Sequence, residues 1–461
     1  MDHPVIQKPQ PFSVTNRLVL SVAVPMMLAY LTTPLLGIVG TAVVGQLGDA
    51  ALLGGLAAGA VVFDVVFNTF NALRASTTGL VAQAYGCDDP VEERAIVVRS
   101  LAASASVGLV LICLTPAVVA LGIGFISPEP RVAEAMRVYI AIRMLAAPLT
   151  LINFSILGYV LGRGEGGLGL LLQALLNGAN IGVAILLGLT LGWGLEGVAW
   201  ATVGGELLAA AAGMAILLRR FSGMAALTRE RVFDLPAMLR MLALNGDIMI
   251  RSFSLLAAFA LFTRQGAQLG TVTLAANAVL MNFFLFAGYF LDGFATAAEQ
   301  LAGRAVGARY APAFRRAVWL TSVWGFTLAG MCSMVFLAFG EDFIAFVTTA
   351  PDVREIAVAF LPWAALTAVT GVLAFQMDGV FIGATWSRDM RNMMLLSLGI
   401  FALWVFVAGE RFGNTGLWAA MHAFLIVRGV SLLAMLPRRT QETFGGPPAI
   451  SAKPGQREEP G

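Results

Sequence analysis

The chain has 461 residues, of which 58% are hydrophobic and 12% charged, with a formal net charge of +2 and a mean hydropathy of +0.83. That balance leaves too little polar surface for a soluble globule and implies no nucleic-acid partner. The only lysines, Lys8 and Lys453, lie in no GxxxxGK[ST] loop, so the chain cannot itself hydrolyse ATP.

A helical span needs ~20 apolar residues, and about twelve such stretches follow one another, roughly six before the segment Arg219 to Arg240 and six after it. Strand-length alternation is absent, so helices are expected to satisfy the backbone in lipid. Residues 1–16 are polar, contain Pro4, Pro9 and Pro11, and read as a tail. The first apolar segment runs on past Val43, far longer than the apolar core of a cleavable signal, and is expected to remain as a helix. Pro25 and Pro34 inside it each remove a backbone hydrogen bond. They predict a bend, either fixed or moving with protonation of the N-terminal half.

On the second span Asp64, Asn68, Asn71 and Thr78 follow at steps of four, three and seven. These steps set them on one helical face, with Arg74 close by, as the lining of a cavity. Gln173, Asn177 and Asn180 make a second polar face on the fifth span, where amides can hold a substrate but cannot titrate. Arg143 in the fourth span, Glu206 in the sixth and Arg428 in the twelfth are candidates for pairing across helices. Residues 17–218 thus read as one lobe, and the linker 219–240, with Arg219, Arg220, Arg229, Arg231 and Arg240, as a topogenic signal and tether.

Residues 241–437 read as the second lobe. Asp247 and Arg251 stand four apart in the seventh span, the spacing at which opposite charges meet, and are expected to form a structural or gating pair. Asp292 and Glu299 share a face of the eighth span; two carboxylates in a poorly solvated place can hold a proton between them. Asp378 opens a DGxxxG stretch in the tenth, whose glycines allow close helix approach. Ionisable groups inside a bilayer are costly and default to functional candidates. Asp292, Glu299, Asp378 and Asp64 are therefore the candidate ion-coupling residues, with bridging to arginine as the alternative. The tail 438–461 is Gly- and Pro-rich after Phe444 and too polar to pack. Cys87, Cys113 and Cys332 show no paired spacing. With the histidines His3 and His422 they build no metal site, and no cofactor is expected beyond a coupling ion.

Pro130, Gly158 and Gly162 recur as Pro351, Gly379 and Gly383, each 221 positions on, and Gly86 recurs as Gly307. The run Leu56 to Val61 matches Leu274 to Val279 at an offset of 218, which predicts a three-residue gap within one hairpin. At that offset Asp64 falls opposite Asn282, which is therefore expected to line the cavity too, and Arg74 opposite Asp292, so the lobes would exchange an acid and a base. At 221 Asp378 falls opposite Leu157. A repeat of this length fixes the architecture, here two six-helix lobes related by an axis along the membrane normal.

Lys8, Arg17, Arg94, Arg99, Arg163, the linker arginines, Arg304, Arg309, Arg315, Arg316, Arg388, Arg391, Arg438 and Arg439 all fall at the termini or in even-numbered connections. The other connections hold only Arg131, Arg137, Arg264, Arg354 and Arg411. This bias places both termini in the cytoplasm of a multi-pass protein. Repeat-built transporters bind substrate between their halves and expose it alternately. The methionines and phenylalanines suggest a compliant apolar wall around such a pocket.

The runs PLLGIVGTAVVGQLG from Pro34, RASTTGLVAQAYG from Arg74, LNGDIMIRS from Leu244, AVLMNFF from Ala278, YFLDGFATAAE from Tyr289 and DGVFIGATWSRDMRN from Asp378 resemble the multidrug and toxic compound extrusion family. The resemblance covers nearly every helix and points to its DNA-damage-inducible protein F-like branch. It implies twelve helices in two lobes of an inner-membrane antiporter that exports organic, often cationic, compounds against protons or sodium, with no enzyme activity and no required protein partner. The acids usual in that family's first and fifth helices are replaced here by Gly40 and Ala184. A lipid or oligosaccharide flippase shares the helical plan, and a wide, arginine-lined cavity would favour that reading.

Overall fold

The computed structural model describes residues 10–224 and 227–445, which are almost entirely helical. The spans are α1 Asn16–Gly45, α2 Ala50–Gly86, α3 Pro90–Cys113, α4 Pro130–Met144 with Ala147–Gly162, α5 Gly166–Thr190 and α6 Gly194–Phe221. They continue as α7 Leu235–Gln268, α8 Thr271–Gly307, α9 Ala311–Val347, α10 Pro351–Gly383, α11 Ser387–Val407 and α12 Arg411–Phe444. Eleven are long and apolar enough alone to cross a membrane, and α4, bent by 51°, brings the number to twelve. Residues 1–9 and 446–461, including most of the two tails, lie outside the described residues.

Local chemistry sets the helix boundaries. Thr15, Asp49 and Asp89 cap α1, α2 and α3 by accepting from Leu18 N, Ala51 N and Glu92 N at 3.2, 2.8 and 2.9 Å, which satisfies donors no helix can satisfy itself. Proline stands in the first turn of α3, α4, α9 and α10, where its missing N–H costs nothing. α1 contains both Pro25 and Pro34 and stays helical throughout. α6 extends to Phe221 and α7 starts at Leu235, so both ends of the 219–240 segment are helical. Arg438 and Arg439, expected in the tail, lie within the last turns of α12.

The duplication is visible in the backbone. Gly158 of α4 lies against the Arg74 carbonyl and Gly162 near that of Thr78, where added Cβ atoms would come within 2.6 and 2.9 Å. In the second lobe Gly379 lies against the Ala295 carbonyl and Gly383 against that of Glu299. All four relations keep the 221 offset. Left-handed turn residues repeat at it too, Asp88 with Arg309 and Gly164 with Thr385. The counterpart of Arg74 is therefore Ala295, and that of Glu299 is Thr78. The 218 register does not reach Arg74, and the expected exchange of Arg74 for Asp292 is corrected. α2 and α8 are both 37 residues long, and α2 differs by a turn at Asn71.

The lobes touch closely at one end only. Gly86 sits on the Arg304 carbonyl, Gly307 on that of Gln83, and Gly79 on that of Ile382. Gln83 Nε2 donates to Gly383 O at 3.0 Å and Thr385 Oγ1 at 3.2 Å, and Ser76 Oγ donates to Asn245 Oδ1 at 2.9 Å. Among the described residues no hydrogen bond joins α1 beyond Thr32, or α2 before Asn71, to the second lobe. The closed end carries the basic connections, with Arg240, Arg304, Arg309 and Arg388 beside it.

Candidate functional site: a charged cavity between the lobes

Where the lobes part, α1, α2, α4–α8 and α10 surround a cavity of about 410 Å³. Five carboxylates line it, Asp64, Glu206, Asp292, Glu299 and Asp378, against three guanidiniums, Arg74, Arg143 and Arg251. Of the expected α2 face, Asp64, Asn68, Asn71 and Arg74 line the wall, as do Gln173 and Asn177, whereas Thr78 is buried away from it and donates to the Arg74 carbonyl at 2.9 Å. Asn177 Nδ2 donates to Thr32 Oγ1 at 2.6 Å.

Two of the expected coupling carboxylates are bridged. Arg74 Nη1 reaches Glu299 Oε2 at 3.5 Å across the lobes, while its Nε donates to Asn71 Oδ1 at 3.0 Å. Asp378 Oδ2 accepts from both Arg251 and Arg428, and its Oδ1 is buried without a hydrogen bond. Asp292 makes no ion pair among the described residues, although it lies within electrostatic reach of Arg251, Arg74 and Arg428. Tyr30 of α1 meets the same helix through its hydroxyl, 3.0 Å from Thr296 Oγ1.

Several expectations are corrected. Asp247 and Arg251 do not neutralise each other: Asp247 accepts from Arg391 Nη1 at 2.6 Å and Ser387 Oγ at 2.7 Å, and Arg251 turns to Asp378. On a long helix inside a bundle, partners on neighbouring helices compete with the i,i+4 neighbour. Asn282 does not line the cavity; its Nδ2 turns back onto the carbonyls of Ala278 and Val279 at 3.0 and 3.2 Å. Asn180 lies in an adjoining recess of about 360 Å³ together with Gly40 and Ala184, and donates to Thr202 Oγ1 at 3.2 Å. Asp64 lines both spaces. No methionine lines the cavity, whose apolar wall combines the aromatic Tyr30, Phe63, Phe67, Phe154, Tyr289 and Phe375 with aliphatic side chains such as Leu36, Leu157 and Ile382.

Glu206 and Arg143 do not pair with one another. Asn153 Nδ2 donates to Glu206 Oε2 at 2.6 Å and to the Glu206 carbonyl at 2.9 Å. Arg143 lies 3.4 Å over the Phe63 ring and donates to Tyr139 Oη at 2.8 Å, an arrangement in which an aromatic face takes a cation's charge. Asn153 and Tyr30 escaped the sequence reading; each sits within a span that is mostly apolar, and the cost of polar groups in lipid was the signal available. His422 is held by Thr370 Oγ1 and the Trp363 carbonyl at 2.9 and 3.1 Å, and among the described residues no cluster could hold a metal.

The chain is similar over most of its length to characterised proteins. A profile of the MatE family matches residues 25–190 and 248–407. DNA damage-inducible protein F of Escherichia coli strain K12 is 36% identical over 425 residues, covering 90% of this chain and 91% of the relative. Protein DETOXIFICATION 44, chloroplastic, of Arabidopsis thaliana is 26% identical over 435 residues, 92% of this chain and 82% of the relative. Among solved structures, a MOP superfamily transporter from Pyrococcus furiosus superposes with a TM-score of 0.84 at 17% identity, covering 93% of this chain and 96% of that one. An outward-facing multidrug resistance MATE family transporter gives 0.83 at 17% identity, with the same coverage. Profile, relatives and fold agree across both lobes, and the chain belongs to the MatE family of multi-pass membrane transporters rather than enzymes.

Proposed function

We propose that the chain exports organic cations or amphipathic compounds across the inner membrane in exchange for protons, by alternating access, with Asp292 as the coupling carboxylate. The observation that carries this reading is the charge balance of the cavity. Its wall holds more carboxylates than guanidiniums, and Asp292 is the C-lobe carboxylate among them without an ion pair. The groups facing it are Arg74 from α2, Arg251 from α7, Asp378 from α10 and Arg428 from α12. The same balance speaks against a flippase for anionic lipid carriers, which calls for an arginine-lined space.

With both termini in the cytoplasm, the closed, basic end is the inner one and the cavity faces outward. A proton reaching Asp292 from outside removes the negative charge that holds a bound cation, and deprotonation inside restores it. Glu299 and Asp378, tied to arginine, order the wall around that exchange, and Asp64 extends the acidic surface into the N-lobe recess. One pH unit supplies ~1.4 kcal/mol per proton, about tenfold accumulation, while exchange of one proton for one monovalent cation is electrically silent.

The test is export of a fluorescent organic cation from proteoliposomes under an imposed pH gradient, with and without sodium. Asp292→Asn is expected to abolish pH-driven export and to weaken binding of the cationic dye while keeping the protein folded. Full pH-driven export by that variant would remove Asp292 from the coupling step. Export driven by sodium at uniform pH would replace the proton by that ion.

A further inference from the structure

A second cavity, of about 740 Å³, lies at the closed end outside the central pathway. It is built by the start of α7 (Leu239, Arg240, Ala243), the α10–α11 connection (Thr385 to Asp389) and Arg439 of α12. Its two carboxylates are already neutralised. Asp247 is held by Arg391 and Ser387, and both oxygens of Asp389 are taken by Arg439.

Two cations in the cavity have no such partner. Arg388 is exposed and makes no hydrogen bond or ion pair among the described residues. Arg240 spends only Nη2, donating to Gln83 Oε1 at 3.2 Å and Thr385 Oγ1 at 3.1 Å, which leaves its Nε and Nη1 open. Guanidinium groups with free adjacent N–H donors favour bidentate contact with phosphate oxygens. Beside them the outer face of α7 presents the exposed Leu235, Leu239 and Leu242. A soluble anion has no use for such a strip, whereas acyl chains would cover it.

We propose that this cavity holds the headgroup of an anionic phospholipid, its phosphate between Arg240 and Arg388 and its tails along the α7 leucines. Because Arg240 Nη2 bridges Gln83 of one lobe and Thr385 of the other, a phosphate on its remaining donors fixes the guanidinium in the bridging pose. The bound lipid thereby reinforces the closed end. A cationic group near an anionic lipid surface contributes about fivefold in affinity per residue.

The purified full-length protein, depleted of lipid, is incubated with phosphatidylglycerol or phosphatidylcholine and the retained lipid counted by native mass spectrometry. Wild type is expected to retain phosphatidylglycerol over phosphatidylcholine, and Arg388→Gln and Arg240→Gln each to reduce that retention about fivefold. Arg388 has no partner to lose, so its variant tests binding without disturbing the fold. Equal retention of the two lipids, or retention unchanged in both variants, would overturn the proposal. So would displacement of phosphatidylglycerol by millimolar inorganic phosphate, which would assign the site to a soluble anion.

Discussion

Replacing Asp378 by asparagine is expected to destabilise the protein by about 3–5 kcal/mol, the range for removing one partner of a buried ion pair. The Asp378 side chain is 6% exposed and Arg428 3%, and Arg251 reaches the same carboxylate oxygen. Asparagine fills the same volume but leaves the buried Arg428 and the partly buried Arg251 facing one another with a neutral amide between them. The loss arises from that repulsion and desolvation, not from any change in packing. Fluorescence-detected thermal melting in detergent reads it as a lowered transition for Asp378→Asn, with Asp292→Asn close to wild type because Asp292 makes no ion pair. Combining Asp378→Asn with Arg428→Met should recover part of the loss, since it removes one of the stranded charges from a site that Phe375 already borders. An unshifted transition for Asp378→Asn alone would show that water reaches the triad and that the bridges contribute little.

The contrast between Asp292 and Asp378 marks the limit of what the sequence could reveal. Both are lone acids in apolar segments, and the cost of burying charge singles out each one. What separates them is whether an arginine on a distant helix turns toward them, and Arg428 lies 50 residues from Asp378. Spacing rules reach three or four positions along one helix, so they paired Asp247 with Arg251, whereas the bundle pairs Asp247 with Arg391 on α11 and Arg251 with α10. The α2 face was legible from Asp64 to Arg74 because these residues share one helical period, but not at Thr78, which the turn at Asn71 and the packing beyond it bury. The repeat was legible through its glycines, whose spacing is dictated by carbonyls on the partner helix. Its register along α2 was not, because a short apolar match at 218 carries no such contact.

Gly86→Ala together with Gly307→Ala is expected to disfavour the closed end without unfolding either lobe. These two glycines are reciprocal, Gly86 lying against the Arg304 carbonyl of α8 and Gly307 against the Gln83 carbonyl of α2. A methyl group at either position overlaps backbone that cannot rotate away, so α2 and α8 must separate. Overpacking of this kind costs about 1–3 kcal/mol per site, which corresponds to roughly a 5- to 150-fold shift between two conformations. The strain exists only while the lobes touch, so it is released in the alternate state. Gly158→Ala or Gly379→Ala should behave differently, because those glycines pack α4 on α2 and α10 on α8 within one lobe and stay crowded in both states. Spin labels at Val91 and Arg315, exposed at the starts of α3 and α9, would read the shift as a longer distance in the double variant. Cation export should fall in parallel, since an exporter that rarely closes its inner end binds substrate from the cytoplasm but seldom turns outward to release it. An unchanged distance distribution would mean that the helices slide past one another rather than part, and that the glycine contacts do not set the balance between the two states.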